Sequence, residues 1–198
     1  MKSFSILLLT VCVGLAGFGF TTRFDDPKPT DKKIKWMTIE EAFAASQKKP
    51  KKIFIDVYTD WCGWCKVMDR NTFTNPAIAD YMNENYYSVK LNAEGKEDIT
   101  LGARTYKTVG NVHELAATLL KGQMSYPTTV YLNEKFELIQ PVPGYLEPRA
   151  FHQIVTWFAG NHNTKEEFEK FKAGTYVKDY QAKLPNPTAE VPAAAVKH

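Results

Sequence analysis

The sequence is poor in cysteine. It holds three, and Cys12 falls in an apolar N-terminal run, which leaves Cys62 and Cys65 for the body of the chain. A pair so close together is a weak staple, because the short loop it closes removes little entropy from the unfolded chain. Structural zinc takes four ligands, and the sequence offers neither a second Cys-x-x-Cys nor a His-x-x-x-His pair, so no metal is expected. Charge of one sign is also scarce. The formal net charge is +3, from 25 basic and 22 acidic residues. The basic residues are dispersed, so no nucleic-acid partner is expected. Lys48, Lys49, Lys51 and Lys52 read as a solvated connection between a helix and a strand. Histidine is sparse, and His113, His152, His162 and His198 fall at positions expected on the surface, with no chemistry assigned. No internal repeat and no motif for an organic cofactor is present.

What remains is a globular composition, 44% hydrophobic and 13% aromatic over 198 residues, enough for one domain and its tails. Residues 1–20 read as a secretory signal. Met1-Lys2 is a short positive start, and Ile6 to Phe20 is apolar apart from Thr10. That run is short against the roughly 20 residues of a membrane span. Phe18 and Phe20 blur the cleavage site, which leaves an uncleaved anchor as the alternative. Cys12 reads as a buried signal residue. A lipid-attachment site usually has a smaller residue before it than Val11. Residues 21–34 carry Asp25, Asp26, Pro27 and Pro29 and read as a linker.

The domain proper is expected over residues 35–162. Thr38-Ile39-Glu40-Glu41 has the form of a capping box, predicting a helix to about Ser46. Ile53 to Tyr58 is a nearly continuous run of β-formers, which suits a strand buried on both faces. Asp56 is the exception, since a carboxylate there is costly without a task or a partner. Asp60 is a turn residue. A helix is expected from Cys62 to Arg70, and Asn75-Pro76 supplies a cap and first residue for the next. Tyr86–Leu91 is the second strand. Residues 93–112 form an insertion of undetermined structure, in which Glu94, Lys96, Glu97 and Asp98 read as solvated. A helix over His113–Lys121, a hairpin of Thr128–Leu132 with Phe136–Gln140, and a helix over Pro148–Phe158 complete the domain. Residues 163–182 are expected as one amphipathic helix, and 183–198 as a disordered tail. The order predicts an α/β fold, a central mixed β-sheet with helices on both faces and an insertion before the loop of Pro127.

Trp61-Cys62-Gly63-Trp64-Cys65 is the stretch that carries chemistry. Two cysteines at this spacing interconvert between dithiol and disulfide with little backbone movement, a two-electron redox device. Together with Asp56, Asp60, Lys90-Leu91-Asn92, Tyr126-Pro127-Thr128 and Gly144, it resembles the thioredoxin superfamily over residues 36–160. Thr72-Phe73-Thr74-Asn75-Pro76 resembles exported members related to the C-terminal domain of the transmembrane electron carrier of the periplasm.

The resemblance implies a thioredoxin-like fold and roles for particular residues. Cys62 is the expected nucleophile, since a helix start favours the thiolate and lowers such pKa values into the range of roughly 3.5–7.5. Cys65, deeper in the helix and less exposed, is the resolving thiol. Asp56, tuned by Lys90, takes the proton from Cys65; a purely structural ion pair is the alternative. Pro127 is expected in cis, with the Tyr126 backbone open to an extended substrate. Trp61, Gly63, Trp64, Tyr126 and Pro127 form the expected substrate-binding set, with Trp61 partly in the core and Trp64 exposed. The expected activity is an exported thiol–disulfide oxidoreductase, foremost a reductase or isomerase. It would act on protein disulfides and be kept reduced by a membrane or periplasmic thiol donor. The alternatives are a dithiol oxidase, or a non-redox peptide-binding or chaperone module on the same fold.

Overall fold

A computed structural model describes residues 33–184 of the chain. The expected signal, most of the expected linker and nearly all of the expected tail lie outside the described residues. A five-stranded sheet in the order β1-β3-β2-β8-β9 forms the centre. Its strands are β1 (Trp36–Met37), β2 (Lys52–Tyr58), β3 (Tyr86–Asn92), β8 (Thr128–Leu132) and β9 (Leu138–Pro143). The middle strand β2 pairs in parallel with β3 and antiparallel with β8, so the sheet is mixed.

Because β2 is interior and covered on both faces, its residues divide by parity between two cores. Ile53, Ile55 and Val57 pack with Val89 and Leu91 under α1 (Ile39–Lys48) and α4 (Glu114–Leu119). Phe54 lies on the opposite face with Tyr131. There it meets Met68 of α2 (Gly63–Asn71), Ile78 and Met82 of α3 (Pro76–Asn85), and Phe151 and Phe158 of α5 (Pro148–Ala159). The caps are as the sequence predicts. Glu41 N–H donates to Thr38 Oγ1 at 3.2 Å and Thr38 N–H to Glu41 Oε2 at 2.9 Å. Asn75 Oδ1 accepts from Ala77 and Ile78 at 3.0 and 3.3 Å.

Several expectations need correction. The insertion is ordered as two small hairpins, β4 (Ile99–Leu101) with β5 (Arg104–Tyr106) and β6 (Thr108–Val109) with β7 (Val112–His113). The strand after the Asn133 turn begins later than Phe136 and runs on through Pro141 and Pro143. As an edge strand it tolerates prolines that would break an interior ladder. The single C-terminal helix is instead α6 (Phe168–Ala173) and α7 (Thr175–Asp179), flanked by 3-10 turns over His162–Thr164 and Gln181–Lys183. These pieces close over α5 and bury Phe171, Tyr176 and Leu184, so Leu184 belongs to the core rather than a tail, as does Ile34 at the other end.

Two expected surface features are also buried. Lys52 is inside and donates to Glu134 Oε1 at 2.7 Å, so it is not part of a solvated cluster. His113 caps α4 by accepting from Leu115 N–H at 3.2 Å, and the imidazole of His152 hydrogen-bonds the Tyr176 hydroxyl at 2.9 Å. A neutral imidazole with a partner is an acceptable core group.

Burial, helped by the positive charges of Lys183 and Arg149, pushes the His152 pKa down to about 4. The unfolded chain therefore binds a proton near pH 6.5 that the folded protein refuses until about pH 4. Stability is expected to fall as pH drops through that window. Denaturant midpoints measured across it should decline in the native chain and decline less in His152→Gln.

Candidate active site

Strand β2 ends at Tyr58, and the chain turns through Thr59, Asp60 and Trp61 to reach α2. Cys62 is the N-cap of α2, with extended backbone (φ −68°, ψ 103°). Its Sγ accepts a hydrogen bond from Cys65 N–H at 3.1 Å, filling the place that a serine or aspartate oxygen takes at other helix starts. Cys62 and Cys65 are joined by a disulfide with Cα atoms 5.3 Å apart. In this oxidised form both cysteine residues are buried almost equally, so the expected difference in exposure is absent. Gly63 faces open space, since a Cβ there would meet nothing within 4 Å.

The aromatic residues frame this opening. Trp61 and Trp64 are 67% and 61% exposed, so Trp61 contributes less to the core than expected. Trp61 stands edge-on to Tyr126 at 5.9 Å, and Trp64 lies against Tyr145 at 5.3 Å. The Tyr126–Pro127 peptide is cis. Pro127 is buried, and its carbonyl accepts from Gly144 N–H at 2.8 Å. Gly144 takes a φ of +98°, a conformation that favours glycine. Two residues are tied in more closely than the sequence suggests. Trp61 Nε1–H donates to Glu94 Oε2 at 3.1 Å, so Glu94 is not simply solvated, and Asn92 Nδ2–H donates to Asp60 Oδ2 at 3.1 Å.

Behind the dithiol helix lies a charged cluster. Asp56 pairs directly with Lys90 in the β2–β3 register, and Lys90 Nζ donates to Asp56 Oδ2 at 2.7 Å. The same ammonium donates to Asp69 of α2. It also sits over the rings of Trp36, Tyr58 and Phe73, at 4.9, 5.3 and 5.1 Å from their centroids. Asp69 is the member that sequence reasoning missed. Its signal was present, because it follows Cys65 by one helical turn and so shares its face.

Burial pushes the Asp56 carboxyl above its ordinary value, and the Lys90 charge only partly offsets this. Burial disfavours the Lys90 ammonium, but Asp56 and Asp69 outweigh it and hold Lys90 above its ordinary value. A raised carboxyl pKa means that the folded state binds a proton which the unfolded chain releases near pH 3.9. The penalty is absent below that pH and grows as pH rises through the folded-state value. Asp56→Asn is therefore expected to raise the denaturant midpoint at pH 7, with the gain vanishing toward pH 4, while Lys90 keeps Asp69 as counter-ion. An unchanged midpoint at pH 7 would refute the assignment of strain to this carboxyl.

The fold matches solved structures at low identity. A thioredoxin-fold protein from Helicobacter pylori aligns with 68% of this chain and 94% of its own, at 15% identity and a TM-score of 0.50. A thioredoxin from Thermus thermophilus aligns with 64% of this chain and 87% of its own, at 14% identity and a TM-score of 0.50. In sequence, 60 residues are 37% identical to spermatogenesis-associated protein 20 of Rattus norvegicus, covering 30% of this chain. A further 45-residue match, 33% identical and covering 23% of this chain, is to the thiol:disulfide interchange protein DsbD of Pectobacterium atrosepticum. Each of these two matches spans 8% of the relative's own length. The family model Thioredox_DsbH, described as a protein of unknown function (DUF255), matches residues 28–172. With its thioredoxin-like sheet and its Cys62–Cys65 pair at a helix start, the chain belongs to this Thioredox_DsbH family.

Proposed function

We propose that the protein is an exported thiol–disulfide oxidoreductase that works mainly as a disulfide reductase or isomerase on other proteins. The observation that carries this is the capping position of Cys62, whose sulfur already accepts a helix N–H. In the dithiol state that N–H and the helix dipole favour the thiolate. The Cys62 thiolate attacks a substrate disulfide, forming a mixed disulfide and releasing one substrate thiolate, which takes up a proton. Cys65 then loses its proton to Asp56 and attacks Cys62 Sγ, releasing the second substrate thiolate. The substrate gains two electrons and the Cys62–Cys65 pair loses them, so a thiol donor must restore the dithiol.

Trp64 supports the reductive direction. A neutral indole between the cysteines adds no positive charge to stabilise the thiolate, and thiolate stabilisation is what makes a strong oxidant. Trp61, Trp64 and Tyr126 offer an apolar rim to an unfolded or extended segment beside the cysteine pair, with Gly63 placing no side chain in the way. The resemblance to DsbD, named as a thiol:disulfide interchange protein, agrees with this chemistry. The N-terminal apolar run supports export to the periplasm or to the outer side of the inner membrane. A membrane or periplasmic dithiol protein is then the electron donor.

The test is insulin reduction with dithiothreitol as the donor. Cys62→Ser is expected to lose essentially all turnover, and an equal rate in wild type and variant would end the proposal. Equilibration with glutathione sets direction. A potential nearer the roughly −270 mV end than the −120 mV end of the known range supports a reductase, and the reverse an oxidase.

A further inference from the structure

The β-sheet face under α2 carries its side chains in rows that cross the strands. Lys90, Asp56 and Thr129 form one row, because Asp56 pairs with Lys90 on one side and with Thr129 on the other. Ser88, Phe54 and Tyr131 form the next. The Asp56 carboxylate is satisfied on one oxygen only. Oδ2 accepts from Lys90, while Oδ1 is buried with no hydrogen-bond partner among the described residues. A buried oxygen in that state costs free energy unless a donor can reach it.

Thr129 is the polar residue placed to reach it. It is fully buried and lies directly opposite Asp56, where cross-strand Cβ atoms are about 4.5–5.5 Å apart. Its hydroxyl donates to the Val142 carbonyl only at 3.4 Å, beyond the usual range for hydroxyl donors, and its other neighbour is the buried Tyr131 hydroxyl. Packing alone gives no reason for a hydroxyl here, since valine fills the same volume without a polar atom.

We propose that the Thr129 hydroxyl is a positioning group for Asp56, donating to Oδ1 when the carboxylate is ionised and accepting from Oδ1 when it is protonated. In the protonated state Oδ1–H donates to Thr129 Oγ1, which keeps its own proton on the Val142 carbonyl. On ionisation the threonine hydroxyl turns from that carbonyl to Oδ1. The only proton transferred is the one that Asp56 takes from Cys65 and later releases, and no electrons move in this step. The proposal rests on Asp56 as the proton acceptor in the reaction above. The ionisable groups around Asp56 are Lys90 from β3, Asp69 from α2, Tyr58 from its own strand and Tyr131 from β8. The rival donors are Tyr131, whose buried hydroxyl lies on the same strand face as Thr129 and interacts with it, and Ser88, whose Oγ is buried without a hydrogen-bond partner in the next row.

Infrared titration of the full-length oxidised protein tests this without requiring turnover. The carboxyl band of protonated Asp56 is identified by its loss in Asp56→Asn. Thr129→Val, which keeps the volume, is expected to raise the midpoint of that band by about one pH unit, because the charge-assisted bond lost from the ionised carboxylate outweighs the neutral bond lost from the protonated acid. Thr129→Ser should keep the native midpoint, and Tyr131→Phe should leave it in place. In disulfide exchange, Thr129→Val should displace the pH profile of kcat by the same amount with KM unchanged. An unmoved midpoint in Thr129→Val, a valine-like shift in Thr129→Ser, or a shift produced by Tyr131→Phe would each overturn the proposal. Absence of exchange activity in the native protein would refute the redox function, and the infrared midpoints would still decide the role of the hydroxyl.

Discussion

The hydrogen bond from Cys65 N–H to the sulfur of Cys62 is the interaction on which the site depends. A helix start leaves backbone N–H groups without partners, and here a cysteine fills the capping role. The cap fixes where the first sulfur sits, and the helical turn brings the second within bonding reach. Strand β2 supplies the rest of the constraint. It is held between β3 and β8 with both faces covered, so its end has little freedom, and the Thr59–Trp61 turn delivers Cys62 to a defined point.

The same strand carries its own cost. Asp56 is almost completely buried, and its carboxyl is pushed upward by that burial despite the ammonium of Lys90. A core built only for stability would hold an apolar residue there. Lys90 is shared between Asp56 on the sheet and Asp69 on the dithiol helix, so one cation links the two elements and sits in a box of aromatic rings. In the proposed reaction this arrangement keeps a proton acceptor available inside the core, with the ammonium of Lys90 offsetting its charge when it is ionised.

Much of this was legible in the residues. The β2 run, the capping box at Thr38, the Asn75-Pro76 helix start and the Cys62–Cys65 pair all follow from local rules, and local rules survive folding. That Asp56 and Lys90 lie on adjacent strands and act together followed from the family resemblance and the order of the strands. What was missed depends on distant pairing. Two-residue β1 has no period to detect, and it exists because β3 offers an edge. The insertion hairpins turn at Gly102 and Gly110, both with positive φ, and those glycines were the available signal. Lys52, His113 and His152 are polar by type, and are buried because Glu134, the α4 backbone and Tyr176 satisfy them. Thr129 looks ordinary in sequence, and its place is seen only in the β2–β8 register opposite Asp56.

The central claim is that the Cys62 sulfur is ionised more readily than an ordinary thiol while Cys65 is not. Alkylation of the reduced protein with limiting iodoacetamide, followed over about pH 4 to 10 and assigned by peptide mass, measures this directly. The account predicts that Cys62 reacts first, with a midpoint clearly below the ordinary value of about 8.5, and that Cys65 stays protected. A Cys62 midpoint at or above about 8.5, or equal labelling of both cysteines, would contradict it.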